Sequence, residues 1–227
     1  MVELQYFGHS FFKINHNKES ILIDPIFNET KTNYKREKNI PVKKEDLKKI
    51  SLILITNETE EHFDKDAIKE ISIRNDATVI ANDYILNSID IPRNLKKSLI
   101  PNKEIQLKNV KIKPIIAHSP KCFCTTGYVV EMDNKKIYHA GITKLIDSFP
   151  AVDADIALLP ISVTTMDVID AVRVTKILKP QTVIPMQYDM FNVTTKIDPK
   201  DFKKRIEESV LNTKPIILDS GKKLNFR

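Results

Sequence analysis

Tryptophan is absent, cysteine occurs twice and glycine only four times in a chain of 227 residues. Cys122 and Cys124, one residue apart, make no disulfide framework, so reduced thiols are expected. Scarce glycine excludes collagen-like and low-complexity architectures. It also gives Gly8, Gly127, Gly141 and Gly221 positional meaning, because glycine serves where the backbone needs positive φ or a close approach. No apolar run approaches the ~20 residues that span a bilayer. The opening Met1-Val2-Glu3-Leu4-Gln5 lacks the basic and then apolar layout of a signal peptide. A cytoplasmic protein with no membrane partner is therefore expected. A block of one charge is missing as well: 36 Lys+Arg face 30 Asp+Glu, net +6. Clusters such as Lys96-Lys97 and Lys203-Lys204-Arg205 are short and read as solvated surface.

What is present suffices for a sizeable core, with 41% hydrophobic and 29% charged residues. Residues 3–7, 10–15 and 20–24 read as a strand meander closed by Pro25. Residues 28–49 turn polar, a surface loop with a short helix near 44–49. The apolar run 52–55 reads as a strand buried on both faces. Helical spacing in Ala67, Ile68 and Ile71 follows a plausible N-cap at Asp64. Strands are expected at 77–81, 105–107, 110–117, 126–132 and 136–139, and a short helix at 83–88. The second half alternates: strand 156–159, a helix through Val168, Ala171, Val172 and Thr175, and strand 182–185. A helix through Phe202, Ile206 and Val210 then opens at Asp198-Pro199, and strands at 216–218 and 223–226 flank Gly221. With no linker or repeat, this pattern predicts one α/β domain over residues 1–227.

Functional groups in such folds gather on loops after strands. Three loops qualify: Thr56 through Asp64, His118 through Cys124, and Pro185-Met186-Gln187-Tyr188, with Asp24 ending an earlier strand. Together with Gly8-His9-Ser10, Ile21-Leu22-Ile23-Asp24-Pro25, Gly127-Tyr128, Ile137 through Thr143, Leu158-Leu159-Pro160-Ile161 and Met166, these ordered landmarks run from end to end. The chain resembles the metallo-β-lactamase fold superfamily, in the branch of small metal-dependent hydrolases similar to L-ascorbate-6-phosphate lactonase.

The resemblance implies a four-layer αββα sandwich with two metal ions, usually zinc, between the sheet edges. Two cations about 3.5 to 4 Å apart lower the pKa of a bound water to ~7, supplying hydroxide for an ester, lactone or phosphodiester. The family's loop reads T-H-x-H-x-D-H, followed by a later His, an Asp within G-D-T and a last His before Tyr. Here the loop's first two histidines are replaced by Asn57 and Thr59, its Asp by Glu61, the bridging Asp by Ile142 and the last His by Gln187. His62 and His118 keep family positions. A zinc takes three or four ligands; amide and hydroxyl oxygens suit harder cations, and Ile142 offers no donor. The primary expectation is a hydrolase homologue with a degenerate dinuclear site, lacking the usual activity and binding no cofactor. The alternative is a hydrolase with one Zn or Mn ion on Glu61, His62 and His118. A rebuilt zinc site from His62, His118, Cys122 and Cys124 is a further reading. By resemblance Asp24 holds the metal loop from beneath, and His9 sits near the pocket mouth. His16 and His139 receive no function. A small-molecule ligand in the former active-site pocket is the expected partner, self-association is compatible with the sequence, and a nucleic-acid-binding module ranks last for want of a basic stripe.

Overall fold

The computed structural model describes residues 1–28, 36–99, 103–146, 149, 152–191 and 197–226. Its first sheet begins with an antiparallel meander of β1 (Val2–Gly8), β2 (Phe11–His16) and β3 (Glu19–Ile23). Three further strands, β4 (Leu52–Leu54), β5 (Thr78–Ala81) and β6 (Lys96–Ser98), extend it in parallel. The second sheet repeats this plan. Antiparallel β7 (Ile105–Leu107), β8 (Val110–Ile116), β9 (Thr126–Met132) and β10 (Lys135–His139) lead into parallel β11 (Ile156–Pro160), β12 (Thr182–Met186) and β13 (Lys214–Pro215). A last strand, β14 (Lys223–Phe226), returns to the outer edge of β1, so each sheet has seven strands.

Burial explains the layering. Every residue of β4, β11 and β12 is buried, as befits strands covered on both faces. In β1 the side chains of Val2, Leu4 and Tyr6 turn inward and join Phe12, Ile14, Tyr128, Val130 and Tyr138 in the core between the sheets. Helix α1 (Lys65–Asn75) buries Ala67, Ile68 and Ile71 against the first sheet; Asp64 caps it, accepting from Ala67 N–H at 3.0 Å. Helix α2 (Asp83–Asn87) packs on the same side. On the second sheet lie α3 (Val168–Leu178), capped by Asp167, and α4 (Pro199–Glu207), opened by Asp198 with proline in its first turn. These layers make the αββα sandwich that the resemblance implies.

Several boundaries differ from the sequence reading. Strand β6 occupies residues read only as a lysine cluster; at the sheet edge Lys97 is free to face solvent. Helix α4 stops at Glu207, leaving Val210 fully exposed rather than on its buried face. The strand expected at 216–218 is the two-residue β13 at Lys214–Pro215. The helix near 44–49 is a single 3₁₀ turn, Lys44–Asp46, and residues 29–35 of the expected surface loop lie outside the described residues. Among the described residues, no helix is long and apolar enough to cross a membrane.

Candidate functional site

Loops following β1, β4, β8, β10, β11 and β12 meet at one edge of the sandwich and enclose a cleft of about 160 Å³. Five of the seven family ligand positions, Thr59, Glu61, His62, Ile142 and Gln187, line it. The end of β3 supports it from below. Asp24 adopts the left-handed conformation with φ 47°, turning its fully buried carboxylate under the loop. Its Oδ1 accepts from Thr56 N–H at 2.8 Å, and its Oδ2 accepts from Thr56 Oγ1 at 2.6 Å and from His62 Nδ1 at 2.6 Å. Ser10 Oγ stands 3.0 Å from the same ring nitrogen. A carboxylate behind a histidine fixes both ring orientation and tautomer.

Two of the substituted positions, Asn57 and Thr59, satisfy each other. Asn57 Oδ1 accepts from Thr59 N–H at 2.9 Å and from Thr59 Oγ1 at 2.6 Å, while its Nδ2 donates to Thr56 Oγ1. Gln187, at φ 69°, donates from Nε2 to Gly141 O at 3.0 Å. Gly141 itself has φ 66°, and a Cβ there would lie 3.0 Å from both Thr126 O and Thr56 Cβ, so glycine is required where the two loops approach.

Two histidines flank His62. The ring of His9, on a left-handed residue with φ 54°, lies edge-on to His62 with centroids 5.1 Å apart and edge-on to Phe191 at 4.9 Å. His9 Nδ1 is buried without a hydrogen-bond partner, and burial, then the neighbouring His62 and Arg36, push its pKa well below the ordinary histidine range. His139, given no function from sequence, is a buried hub: Nε2 meets Ser10 O at 3.0 Å and Nδ1 accepts from Gly141 N–H at 3.1 Å. Burial lowers its pKa to about 4, so it is neutral at pH 7. Sequence reasoning also missed Ser10 and Thr56 as partners of His62, although both lie inside quoted landmarks.

His118 does not reach the cleft. Its side chain is exposed, and only its backbone is fixed, through Thr143 Oγ1 and Lys144 N–H. Cys122 borders the cleft, whereas Cys124 donates its thiol hydrogen to Glu58 Oε2 at 3.1 Å. Among the described residues no group of three or more His, Cys, Asp or Glu is arranged to hold a metal ion. Glu61, His62 and His118 are thus not brought together, nor are the cysteines with the two histidines, because residues 122–124 form an irregular loop rather than a strand. The residues present do not complete the family's paired metal centre. Ile142 places an aliphatic side chain in the cleft at the bridging position, and the oxygen of Asn57 is already taken up by Thr59.

Sandwich and cleft together define the class: the chain belongs to the beta-lactamase superfamily, whose domain matches residues 3–187. Within it, the chain belongs with the UPF0173 metal-dependent hydrolases. The protein of that name from Pyrococcus furiosus is 30% identical over 239 residues, covering 100% of both chains. Its counterpart from Aeropyrum pernix is 28% identical over 251 residues, covering 100% of this chain and 98% of its own. Among solved structures, Igni18, a metallo hydrolase from Ignicoccus hospitalis, superposes with a TM-score of 0.73 at 26% identity, covering 100% of this chain and 99% of its own. These names point to a metal cofactor and overturn the expectation that none is bound.

Proposed function

We propose that the chain is a metallo-β-lactamase-fold hydrolase homologue whose dinuclear centre is degenerate and which lacks the usual two-metal hydrolytic activity. The observation that carries this reading is Ile142 lining the cleft. A bridging carboxylate offsets part of the repulsion between two cations and holds their shared water; the sec-butyl side chain of isoleucine does neither and raises the cost of charge nearby. Supporting it, the side chains at three other substituted positions, Asn57, Thr59 and Gln187, are hydrogen-bonded to protein atoms. Metal-dependent relatives make metal chemistry the family background, so the proposal concerns how many ions the remaining donors can hold and what they can catalyse.

The test is elemental analysis of protein purified without chelators, alongside hydrolysis of a lactone, an aryl ester and a phosphodiester with added Zn²⁺ or Mn²⁺. Fewer than two equivalents of metal and no hydrolysis above buffer are expected. Two tightly held equivalents, with hydrolysis abolished by His62→Ala and His118→Ala, would overturn the reading. As a constructive arm, the combined variant Asn57→His, Thr59→His, Ile142→Asp, Gln187→His should gain metal relative to wild type.

A further inference from the structure

Three polar side chains of the cleft share a property that their sequence positions do not reveal: each gives its hydrogen to the protein and keeps a lone pair. His62 directs Nδ1–H to Asp24, and Nε2 has no hydrogen-bond partner among the described residues. Thr59 commits its hydroxyl hydrogen to Asn57 Oδ1, which leaves the lone pairs of Oγ1. Gln187 commits Nε2 to Gly141 O, and its Oε1 has no partner among the described residues. Glu61, on the same wall, is acceptor only as a carboxylate and forms no ion pair among the described residues. These four residues give one part of the lining a set of acceptors, beside which His9, Cys122, Ser162 and Thr164 bring hydrogens of their own.

Charge and shape agree with that polarity. Asp189 adds a second carboxylate to the lining, already paired with Lys38, and the lining's one cation, Lys121, is exposed to solvent. Arg36 lies over the ring of Phe191, 5.9 Å from its centroid, and is not part of the lining. Ile142, Val163, Tyr188 and Phe191 supply apolar and aromatic wall, and aromatic faces attract cations. The volume, about 160 Å³, is close to the ~150 Å³ of an engineered apolar cavity that admits benzene.

We infer that the cleft binds a small organic cation, a primary ammonium carried on a single ring or a short branched alkyl body. Its N–H groups would be shared among the Glu61 carboxylate, His62 Nε2 and the oxygens of Thr59 and Gln187, and its body would pack on Ile142 and Phe191. An anion meets the like charge of Glu61, and a neutral alcohol lacks the charge that Glu61 complements. The inference rests on the degenerate-centre reading, since a paired metal centre would engage the same lone pairs.

Calorimetric titration of the full chain with benzylamine, benzyl alcohol and benzoate at pH 7, with metal content determined on the same sample, tests it. Benzylamine should bind saturably, benzyl alcohol about tenfold more weakly or worse, and benzoate not at all. Glu61→Gln should weaken benzylamine about tenfold while leaving benzyl alcohol unchanged, because a partly exposed side chain loses charge without loss of shape. Lys121→Ala should not weaken benzylamine. Equal affinity for amine and alcohol, or a preference for benzoate, overturns the inference. So does displacement of benzylamine by one equivalent of Zn²⁺ or Mn²⁺, which would assign the lone pairs to a metal ion. No amine binding in protein carrying fewer than two metals overturns this inference alone, whereas two tight equivalents overturn the proposed function and this inference with it.

Discussion

The Asp24 carboxylate holds the His62 imidazole through a 2.6 Å contact between Oδ2 and Nδ1, with the two side chains 0% and 1% exposed. It ties the end of β3 to the loop after β4, and Thr56 adds two bonds to the same carboxylate. Removing the carboxylate leaves the buried donors of His62 and Thr56 unpaired, which costs about 1–3 kcal/mol each. Asp24→Ala should therefore lower the urea-unfolding free energy by that order. A loss below ~1 kcal/mol would mean that the loop is held by something other than this carboxylate.

Buried His139 sets an acid limit. Its pKa falls from 6.5 in the unfolded chain to about 4 in the fold, chiefly through burial. Between those values the unfolded chain binds a proton that the folded one refuses, so stability declines as pH falls from 6.5 toward 4 and levels off below. The contribution is about 3 kcal/mol across the window, and His9, also depressed by burial, acts with the same sign. Urea midpoints at pH 7 and pH 4.5 measure it. His139→Asn should be less stable at pH 7 and show a shallower pH slope; an unchanged slope would assign the acid loss to other groups.

Glu58 clamps the loop that carries both cysteines. Its carboxylate accepts from Phe123 N–H at 2.5 Å, Cys124 N–H at 3.2 Å and the Cys124 thiol at 3.1 Å. Burial, then the bond to Glu58, push the Cys124 thiol up to about 12, so it is protonated and unreactive at pH 8. Glu58→Ala should accelerate thiol labelling at Cys124 by about tenfold, the effect of roughly one pKa unit on thiolate population. Site-resolved mass spectrometry reads this directly, and equal labelling rates would show that burial alone silences the thiol.

Ile142→Asp would place a carboxylate beside Glu61 in a partly apolar cleft. Without metal the variant should lose about 1–3 kcal/mol, from desolvation and like-charge repulsion. Added Zn²⁺ or Mn²⁺ should raise its thermal midpoint by more than it raises that of wild type. Equal metal responses would show that residue 142 does not border the ion site.

The fold was legible where local chemistry and burial agree. The run Leu52-Ile53-Leu54-Ile55 could only be a buried strand end or core helix, and its length and neighbours favoured the strand. Asp64 and Asp198-Pro199 marked helix starts because a side-chain acceptor meets unpaired N–H groups there. Strand β6 was illegible, since Lys96 and Lys97 signal solvent and only pairing with β5 makes them a strand. Val210 matched a helical period but lies beyond the end of α4, because period alone does not say where a helix stops.

The candidate site divides the same way. By itself the sequence determined the order of landmarks and the donors available at each, including an aliphatic Ile142 where the resemblance implies a bridging carboxylate, because residue identity fixes what chemistry a position can offer. Tertiary structure alone decided that Thr59, Glu61, His62, Ile142 and Gln187 share a cleft with Tyr188 and Phe191, and that His118 stands outside it. It also decided the direction of each hydrogen bond: Asp24 takes the hydrogen of His62, Asn57 that of Thr59 and Gly141 that of Gln187, and lone pairs are left over. For His62 and Gln187 the atom that remains free depends on partners 38 and 46 residues away, brought close by strand pairing within each sheet, whereas Asn57 and Thr59 are local neighbours.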